Sequence, residues 1–507
     1  MRTVDAEHAA LWVGVDVGTQ SLRVLIADGT GREVGRGTSR LHSQRAAGSR
    51  HWQRPEDWWD AFGSACREAT AALAGAGQAS SASRIAGVAI AATSGTFLLA
   101  DEAGSPCTPA LMYDDARAVA QAAQVQAAGS ERWTALGYAI QPAWALPKLL
   151  WLAQQASPPI RAGLADGRLR LLHCADYLAS RLHGGPVATD WSNALKTGYD
   201  CDLGAWPADV LDRLGIDPMV LPAVVRPGSA IGTVGRDGAR HTGLPAGTPI
   251  RAGLTDGCAA QVAAGALRPG AWNSVLGTTL VLKGVTERRL ADPDGAVYSH
   301  RHPDGGWLPG GASNIGAGAL AAWFPGVDHE RADADAARHE PADRLVYPLT
   351  ATGERFPFVR PDAEPFEIGG LVDGSDRYAA VLQSVAYVER LCYAVLRRLG
   401  ADVTGALFLT GGATASPYWT QLRADILGRA VRLPDCPEPA FGMAVVAAAG
   451  DGPLTETARR MVRASRTVEP RPGAAARFAD TYRRFLDALA ARGWISDDLA
   501  RYAQELT

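Results

Sequence analysis

An acid at position 16 stands just ahead of a small polar run, in Val13-Gly14-Val15-Asp16-Val17-Gly18-Thr19-Gln20-Ser21. Apolar residues alternate up to Asp16, and aliphatic residues resume after Ser21 as Leu22-Arg23-Val24-Leu25-Ile26-Ala27-Asp28. The pattern predicts strand, tight turn, strand. A carboxylate repels phosphate, but it can hold a Mg²⁺ ion, or a water of its shell, that a phosphate also touches. Gly14 and Gly18 let backbone N–H groups come close to a ligand. This hairpin therefore suits a metal-bound polyphosphate, with Asp16 on the metal and Gly18, Thr19, Gln20 and Ser21 toward the phosphates.

Two later segments extend the pattern. Ala271-Trp272-Asn273-Ser274-Val275-Leu276-Gly277-Thr278-Thr279-Leu280-Val281-Leu282 is again strand, turn, strand, without the acid. It predicts a second related unit, offering Gly277, Thr278 and Thr279 to a phosphate. Ala406-Leu407-Phe408-Leu409-Thr410-Gly411-Gly412-Ala413-Thr414 predicts a buried strand ending in a double glycine, with a helix from about Ser416. Glycines at such a turn remove side chains where a flat ring could lie against backbone. Gly411, Gly412 and Ala413 are the expected adenine contacts. In this order, the segments resemble the nucleotide site of the sugar kinase, actin and heat-shock chaperone superfamily.

Gly253-Leu254-Thr255-Asp256-Gly257-Cys258 precedes a small-residue helix expected over 261–267. Asp256 would sit at its N-terminus, where the macrodipole favours a charged carboxylate. An ionised carboxylate beside a hydroxyl can accept its proton during phosphoryl transfer. The plain alternative is an N-cap.

With these residues in view, residues 11–450 resemble the FGGY carbohydrate kinases. Lys148-Leu149-Leu150-Trp151-Leu152-Ala153-Gln154-Gln155 is similar to the second half of that family's N-terminal signature, and Ala143 and Ala145 depart from it. The resemblance implies an α/β fold of two ribonuclease H-like (actin-like ATPase) domains facing a central cleft. It implies ATP and Mg²⁺ as cofactors and Asp256 as the catalytic base, also in contact with the sugar. The expected division is an N-terminal domain over 11–250, a C-terminal domain over 251–450 and a helical extension over 451–507.

The elements needed to position these groups are visible in outline. Helices are expected over 52–73, 377–399, 441–449 and near 476–491, and strands over 85–90 and 407–410. The stretch 227–249, rich in Gly and Pro, predicts a loop-rich connection. Alternating strands and helices predict α/β architecture in both halves.

Composition narrows the class. Hydrophobic residues make up 47% and the net charge is −3, which argues against a nucleic-acid partner held through phosphates. Seven cysteines are scattered with no C-x-x-C pair, so neither a zinc site nor a disulfide framework is expected, and a reducing cytoplasm is. No signal peptide is evident in residues 1–10, and no stretch is expected to span a membrane; the longest apolar run, 85–100, is broken at 93–96. Partners are expected to be a small-molecule sugar and ATP, with a homodimer possible. Lysine occurs only at 148, 196 and 283, and no G-x-x-x-x-G-K-[ST] exists, which excludes a P-loop kinase. Phosphoryl charge must be met by Mg²⁺, backbone donors and helix N-termini.

The acceptor side is expected in two segments. Thr93-Ser94-Gly95-Thr96 follows the 85–90 strand and offers neutral hydroxyls, with Gly95 leaving room. Glycerol kinases of the family carry Arg-Glu there and xylulokinases usually Met-His. Met112-Tyr113-Asp114-Asp115-Ala116-Arg117 is similar to the family's acceptor-side segment. Asp115 could accept two sugar hydroxyls while Arg117 holds it by a paired salt bridge. The 93–96 loop, Trp191-Ser192-Asn193-Ala194 and Leu308-Pro309-Gly310-Gly311-Ala312-Ser313-Asn314 together resemble a plant and cyanobacterial subgroup associated with D-ribulose. That implies D-ribulose as acceptor, converted to D-ribulose 5-phosphate, with D-xylulose or another polyol second.

A different class is a non-catalytic actin-like ATPase. It would not need Asp256 beside a sugar loop. A regulatory relative would need a DNA-reading module, and the phosphate hairpin begins by Leu11, leaving no space for one before it.

Overall fold

A computed structural model of the 507-residue chain describes residues 10–75, 81–369 and 374–506. The chain divides into two compact units: 1–265 with 300–305 and 436–463, and 266–299 with 306–435 and 464–507. Their segments alternate along the sequence. The expected boundaries at 250 and 450 both fall inside the first unit, and the Pro439–Ala449 helix, expected in the C-terminal domain, belongs to that unit.

The first unit is built on a six-stranded sheet of β1 (Leu11–Val17), β2 (Ser21–Asp28), β3 (Glu33–Arg40), β4 (Ile85–Ala92), β5 (Ala230–Thr233) and β6 (Pro249–Arg251). The spatial order is β5-β6-β4-β1-β2-β3. β1, β4 and β6 run parallel, and β2, β3 and β5 pair antiparallel. The Val/Ile/Leu-rich interior of β1 and β4 is buried on both faces, as a covered parallel strand requires.

One covering helix is Pro439–Ala449, which packs on β1 and on the Asp256–Ala264 helix. A Cβ at Gly14 would lie 1.8 Å from the Ala440 carbonyl oxygen, and one at Gly442 would lie 2.1 Å from that of Ala259. Gly14 therefore serves helix–strand packing and not the ligand approach expected of it. The helix expected over 52–73 spans Pro55–Gly75, because residues 50–53 form a strand.

The 227–249 stretch is more regular than expected. It contains edge strand β5 and the helix Arg236–Thr242. Its glycines bring it against the Cys174–His183 helix: a Cβ at Gly235 or Gly238 would lie 2.4 or 2.2 Å from the carbonyl oxygens of His183 and Leu182. Close packing explains the composition that had suggested a loop.

The second unit is built on β7 (Trp272–Leu276), β8 (Leu280–Gly284), β9 (Tyr298–Arg301), β10 (Trp307–Ser313), β11 (Leu407–Thr410), β12 (Val431–Pro434) and β13 (Ala464–Val468). The order is β9-β10-β8-β7-β11-β12-β13, with β7, β11 and β12 parallel. Strands β10-β8-β7-β11-β12-β13 repeat the order and directions of β3-β2-β1-β4-β6-β5. The two hairpins that looked alike in sequence are corresponding hairpins of two like sheets.

The helix Gly374–Arg398 fills the second core. Expected over 377–399, it alone among the described residues is long and apolar enough to cross a membrane, where no such stretch was expected, and 89% of that window is buried within the fold. Its Glu389 takes both an Nε and an Nη2 bond from Arg423, whose Nη2 also reaches Ser274 Oγ on β7 at 2.7 Å. Removing one partner of such a buried pair typically costs about 3–5 kcal/mol. None of the seven cysteines is in a disulfide.

Candidate active site

In the first unit, three chain segments end together. Val17 pairs with Ala92, and Ala92 bridges Thr255. The turn after β1, the loop after β4 and the start of the Asp256–Ala264 helix thus lie at one edge, the carboxyl ends of parallel strands. In open α/β sheets this is where ligands bind.

Asp16, one residue inside that edge, is buried, and its Oδ1 has no hydrogen-bond partner. Arg23, opposite it in the register, approaches only to 3.7 Å. Burial, together with the charge of Asp256, pushes the Asp16 carboxyl up to about 7, against the pull of Arg23. An unmatched buried oxygen beside a second carboxylate is a fit for a cation. Magnesium is commonly held by one or two carboxylates plus substrate phosphates. Among the described residues no group of three or more His, Cys, Asp or Glu side chains could hold a metal.

Asp256 is the first residue of its helix and is partly exposed. The helix begins there, earlier than the expected 261, and ends at Gly265 in the left-handed conformation. Thr255, not Asp256, is the N-cap residue; Asp256 Oδ1 accepts the N–H of Gly257 at 2.7 Å. Thr255 N donates to Ser192 Oγ at 2.9 Å, and Ser192 Oγ donates to Asp190 at 2.5 Å. Asp190 also accepts the N–H groups of Ser192 and Asn193 and the Asn193 amide. Ser192 and Asn193 are therefore buried scaffold.

The turn 18–20 is closed by Gly18 N donating to Ser21 O at 3.0 Å, and the second turn by Gly277 N donating to Thr279 O at 3.1 Å. Both glycine N–H groups, expected toward phosphate, close their own hairpins. The partly exposed Thr19, exposed Gln20 and exposed Thr278 remain on the surface of the turns. The first turn is held by buried Gln53, whose Nε2 reaches Thr19 O at 2.7 Å. No sequence pattern pointed to Gln53.

The 93–96 loop is anchored by a Thr93–Thr96 hydroxyl bond of 2.7 Å. Ser94 Oγ is buried without a hydrogen-bond partner. Gly95 has φ +89°, and the space beside it is not open: a Cβ there would lie 3.2 Å from Lys196 Cδ. Asp115 is fully buried. It takes the paired bond from Arg117 Nε and Nη2, and the N–H of His51 at 2.7 Å. Its oxygens are engaged inside the protein, so direct sugar contact by Asp115 does not fit. Asp114 is the more exposed of the two carboxylates; although burial works the other way, bonds from His51 and Arg45 hold it below the usual carboxylate range. Tyr113, exposed beside Thr19, has its phenol raised by burial and by the charges of Asp114 and Asp256. Neither Tyr113 nor Asp114 had been given a role; both directly precede the acid that had.

In the second unit, Gly277 and Gly411 follow the adjacent parallel strands β7 and β11. Gly411 has φ +90°, and a Cβ there would lie 2.5 Å from Leu276 O, so it serves strand packing. Gly412 has nothing within 4 Å of a Cβ position. Gly412 and Ala413 line a pocket of about 740 Å³ with Leu320, Asp333, Tyr378 and Tyr418. The helix expected from Ser416 spans Pro417–Leu427, capped by Ser416 Oγ on Trp419 N. Ser313 and Asn314, like Ser192 and Asn193, are internal: they bond Glu354 at 2.9 and 2.7 Å.

Comparison with known proteins agrees with this architecture. Residues 11–263 match the N-terminal domain, and 272–450 the C-terminal domain, of the FGGY family of carbohydrate kinases. The chain is 33% identical over 463 residues to the xylulose kinase of Streptomyces coelicolor, covering 88% of this chain and 89% of that one. It is 26% identical over 497 residues to the autoinducer-2 kinase of Escherichia coli K12, covering 91% and 90%. The crystal structure of the xylulose kinase from Rhodospirillum rubrum superposes with a TM-score of 0.84 at 25% identity, covering 95% of this chain and 98% of that one. The paired sheets, the matched hairpins and these likenesses together establish that the chain belongs to the FGGY family of carbohydrate kinases and is an ATP-dependent sugar kinase.

Proposed function

We propose that the chain transfers a phosphoryl group from ATP to the terminal hydroxyl of a ketopentose, with D-ribulose the preferred acceptor and D-ribulose 5-phosphate the product. Asp256 accepts the hydroxyl proton as general base. Mg²⁺, held by Asp16, supplies charge neutralisation for the phosphates. Thr19, Gln20 and Ser21, and Thr278 and Thr279 of the second hairpin, contact phosphate through the rest of each turn, while Gly412 and Ala413 border the adenine. Ser94 contacts the sugar, and Asp114 takes the place first expected for Asp115.

The observation that carries the acceptor class is the buried, unpartnered hydroxyl of Ser94 in a loop of neutral hydroxyls at the edge shared with Asp256. A buried polar group is costly unless it is bonded, and a polyol hydroxyl satisfies Ser94 without bringing a charge.

The D-ribulose preference rests on subgroup resemblance. A second reading, D-xylulose, is favoured by likeness to proteins named xylulose kinase. Initial rates of ADP release over a panel of pentuloses and pentitols test both. The expected result is the highest kcat/KM with D-ribulose, and a kcat lowered about 10²–10⁴-fold in Asp256→Ala, the usual contribution of a positioned acid–base group. A higher kcat/KM for D-xylulose overturns the sugar choice. ADP release independent of any sugar overturns the acceptor class.

A further inference from the structure

The chain has three lysines against abundant arginine, and two of them converge on one four-residue loop. Lys148, on the helix Ala145–Gln155, is completely buried. Its Nζ donates to the carbonyl oxygen of Gly95 at 2.9 Å and to that of Met112 at 2.6 Å. Those carbonyls belong to the two segments assigned to the acceptor: the 93–96 loop, and the residue just before Tyr113 and Asp114. Lys196 Nζ lies 3.4 Å from the carbonyl oxygen of Ser94, and its stem fills the space beside Gly95. Burying an ammonium is expensive unless it is well paired. Here the pairing is with two backbone carbonyls, with the Asp115 charge nearby and the Phe97 ring 5.7 Å away.

A structural lysine need only be satisfied. Lys148 is satisfied by tying Gly95 to Met112, just beyond the point where the strand pairing of Phe97 with Leu111 ends and the two loops leave the sheet. The compact three-donor ammonium can do this where the planar fork of arginine cannot. We infer that Lys148 and Lys196 are positioning residues that set the width of the acceptor pocket, and with it the choice between ketopentose epimers, by fixing Ser94 and Asp114 relative to each other. Neither lysine touches the reacting atoms. The inference rests on the reading that these two segments face the sugar.

The test compares Lys148→Met, Lys148→Gln and Lys196→Met with Ser94→Ala and Asp114→Asn. The readouts are sugar KM, ATP KM, and the ratio of kcat/KM for D-ribulose to that for D-xylulose. The Lys148 variants are expected to raise sugar KM at least tenfold and to shift the epimer ratio at least threefold. Lys196→Met is expected to move both in the same direction by less. ATP KM should stay within twofold throughout, which also reports that the protein is folded. A purely structural role would lower the amount of active protein and leave the epimer ratio alone. Lys148→Gln with normal ATP KM, sugar KM and epimer ratio overturns the role of Lys148; an unchanged ratio in Lys196→Met overturns that of Lys196, which is half-buried and tolerates replacement more readily. If Ser94→Ala and Asp114→Asn also leave sugar KM unchanged, the acceptor reading itself has failed. If they raise it while the lysine variants do not, only this inference has.

Discussion

The hydroxyl of Ser192 accepts the backbone N–H of Thr255 at 2.9 Å, across 63 residues of sequence. It does so while donating to Asp190, a buried carboxylate that burial raises above its usual range and that four bonds in all, counting this one, keep in place. The donor lies next to Asp256, so the bond fixes where the helix begins. Ser192→Ala strands the Thr255 N–H. Losing one such bond costs about 0.5–1.5 kcal/mol net, and more when a buried group is left unpaired. We expect kcat to fall about 3–10-fold with ATP KM unchanged, and Ser192→Thr to recover part of the loss. Equal kcat in wild type and Ser192→Ala would show that Asp256 is placed without it.

Asp16 should matter to metal-bound nucleotide and not to sugar. Calorimetric titration of Asp16→Ala with ATP is expected to show at least tenfold weaker binding in the presence of Mg²⁺ and little change without it. Sugar affinity should be preserved. Unaltered Mg·ATP binding would leave the hairpin with a structural role only.

The two glycines after β11 should separate stability from binding. Gly411→Ala puts a Cβ into the Leu276 carbonyl and forces a positive φ on alanine, so thermal unfolding should occur several degrees lower. Gly412→Ala meets no protein atom within 4 Å. Its melting temperature should match wild type while its ATP KM rises. A reversed pattern in paired melting and kinetic measurements would refute the assignment of Gly412 to the nucleotide pocket.

Lys148 gives a pH signature. Burial lowers its ammonium to about 7 from an ordinary value of 10.5, with Asp115 and Asp114 pulling it up and Lys196 and Arg117 pushing it down. A depressed lysine means that the folded state disfavours the charged form. The neutral form's contribution is complete above about 10.5 and is lost as pH falls to about 7. The melting temperature of wild type minus that of Lys148→Met should therefore rise from pH 7 to pH 10 and stay flat below pH 7. A difference independent of pH over that range would contradict a buried, depressed lysine.

Sequence alone carried the positions of the turns. Asp16, the Gly-Thr turns and the Gly411–Gly412 pair were legible because strands announce themselves by alternation and local turns by glycine and small hydroxyls. Their repetition announced two like sheets before any pairing was known. What depended on tertiary packing was the job of each residue within those segments. Gly14, Gly235 and Gly411 are glycine because a Cβ there would come within about 2.5 Å of another segment's carbonyl oxygen, a fact with no local trace. Asp114 and Asp115 are the same residue type side by side; the Arg117 pair on Asp115 was legible in the sequence, and only the fold decides that this pair and the His51 N–H close Asp115 inside the protein while Asp114 reaches the surface. The supports of the site, from Ser192 to Thr255, Gln53 to Thr19 and Lys148 to Gly95, join residues 34 to 63 positions apart. Local periodicity registers which face of an element is buried, and it carries no information about which distant partner satisfies a buried donor.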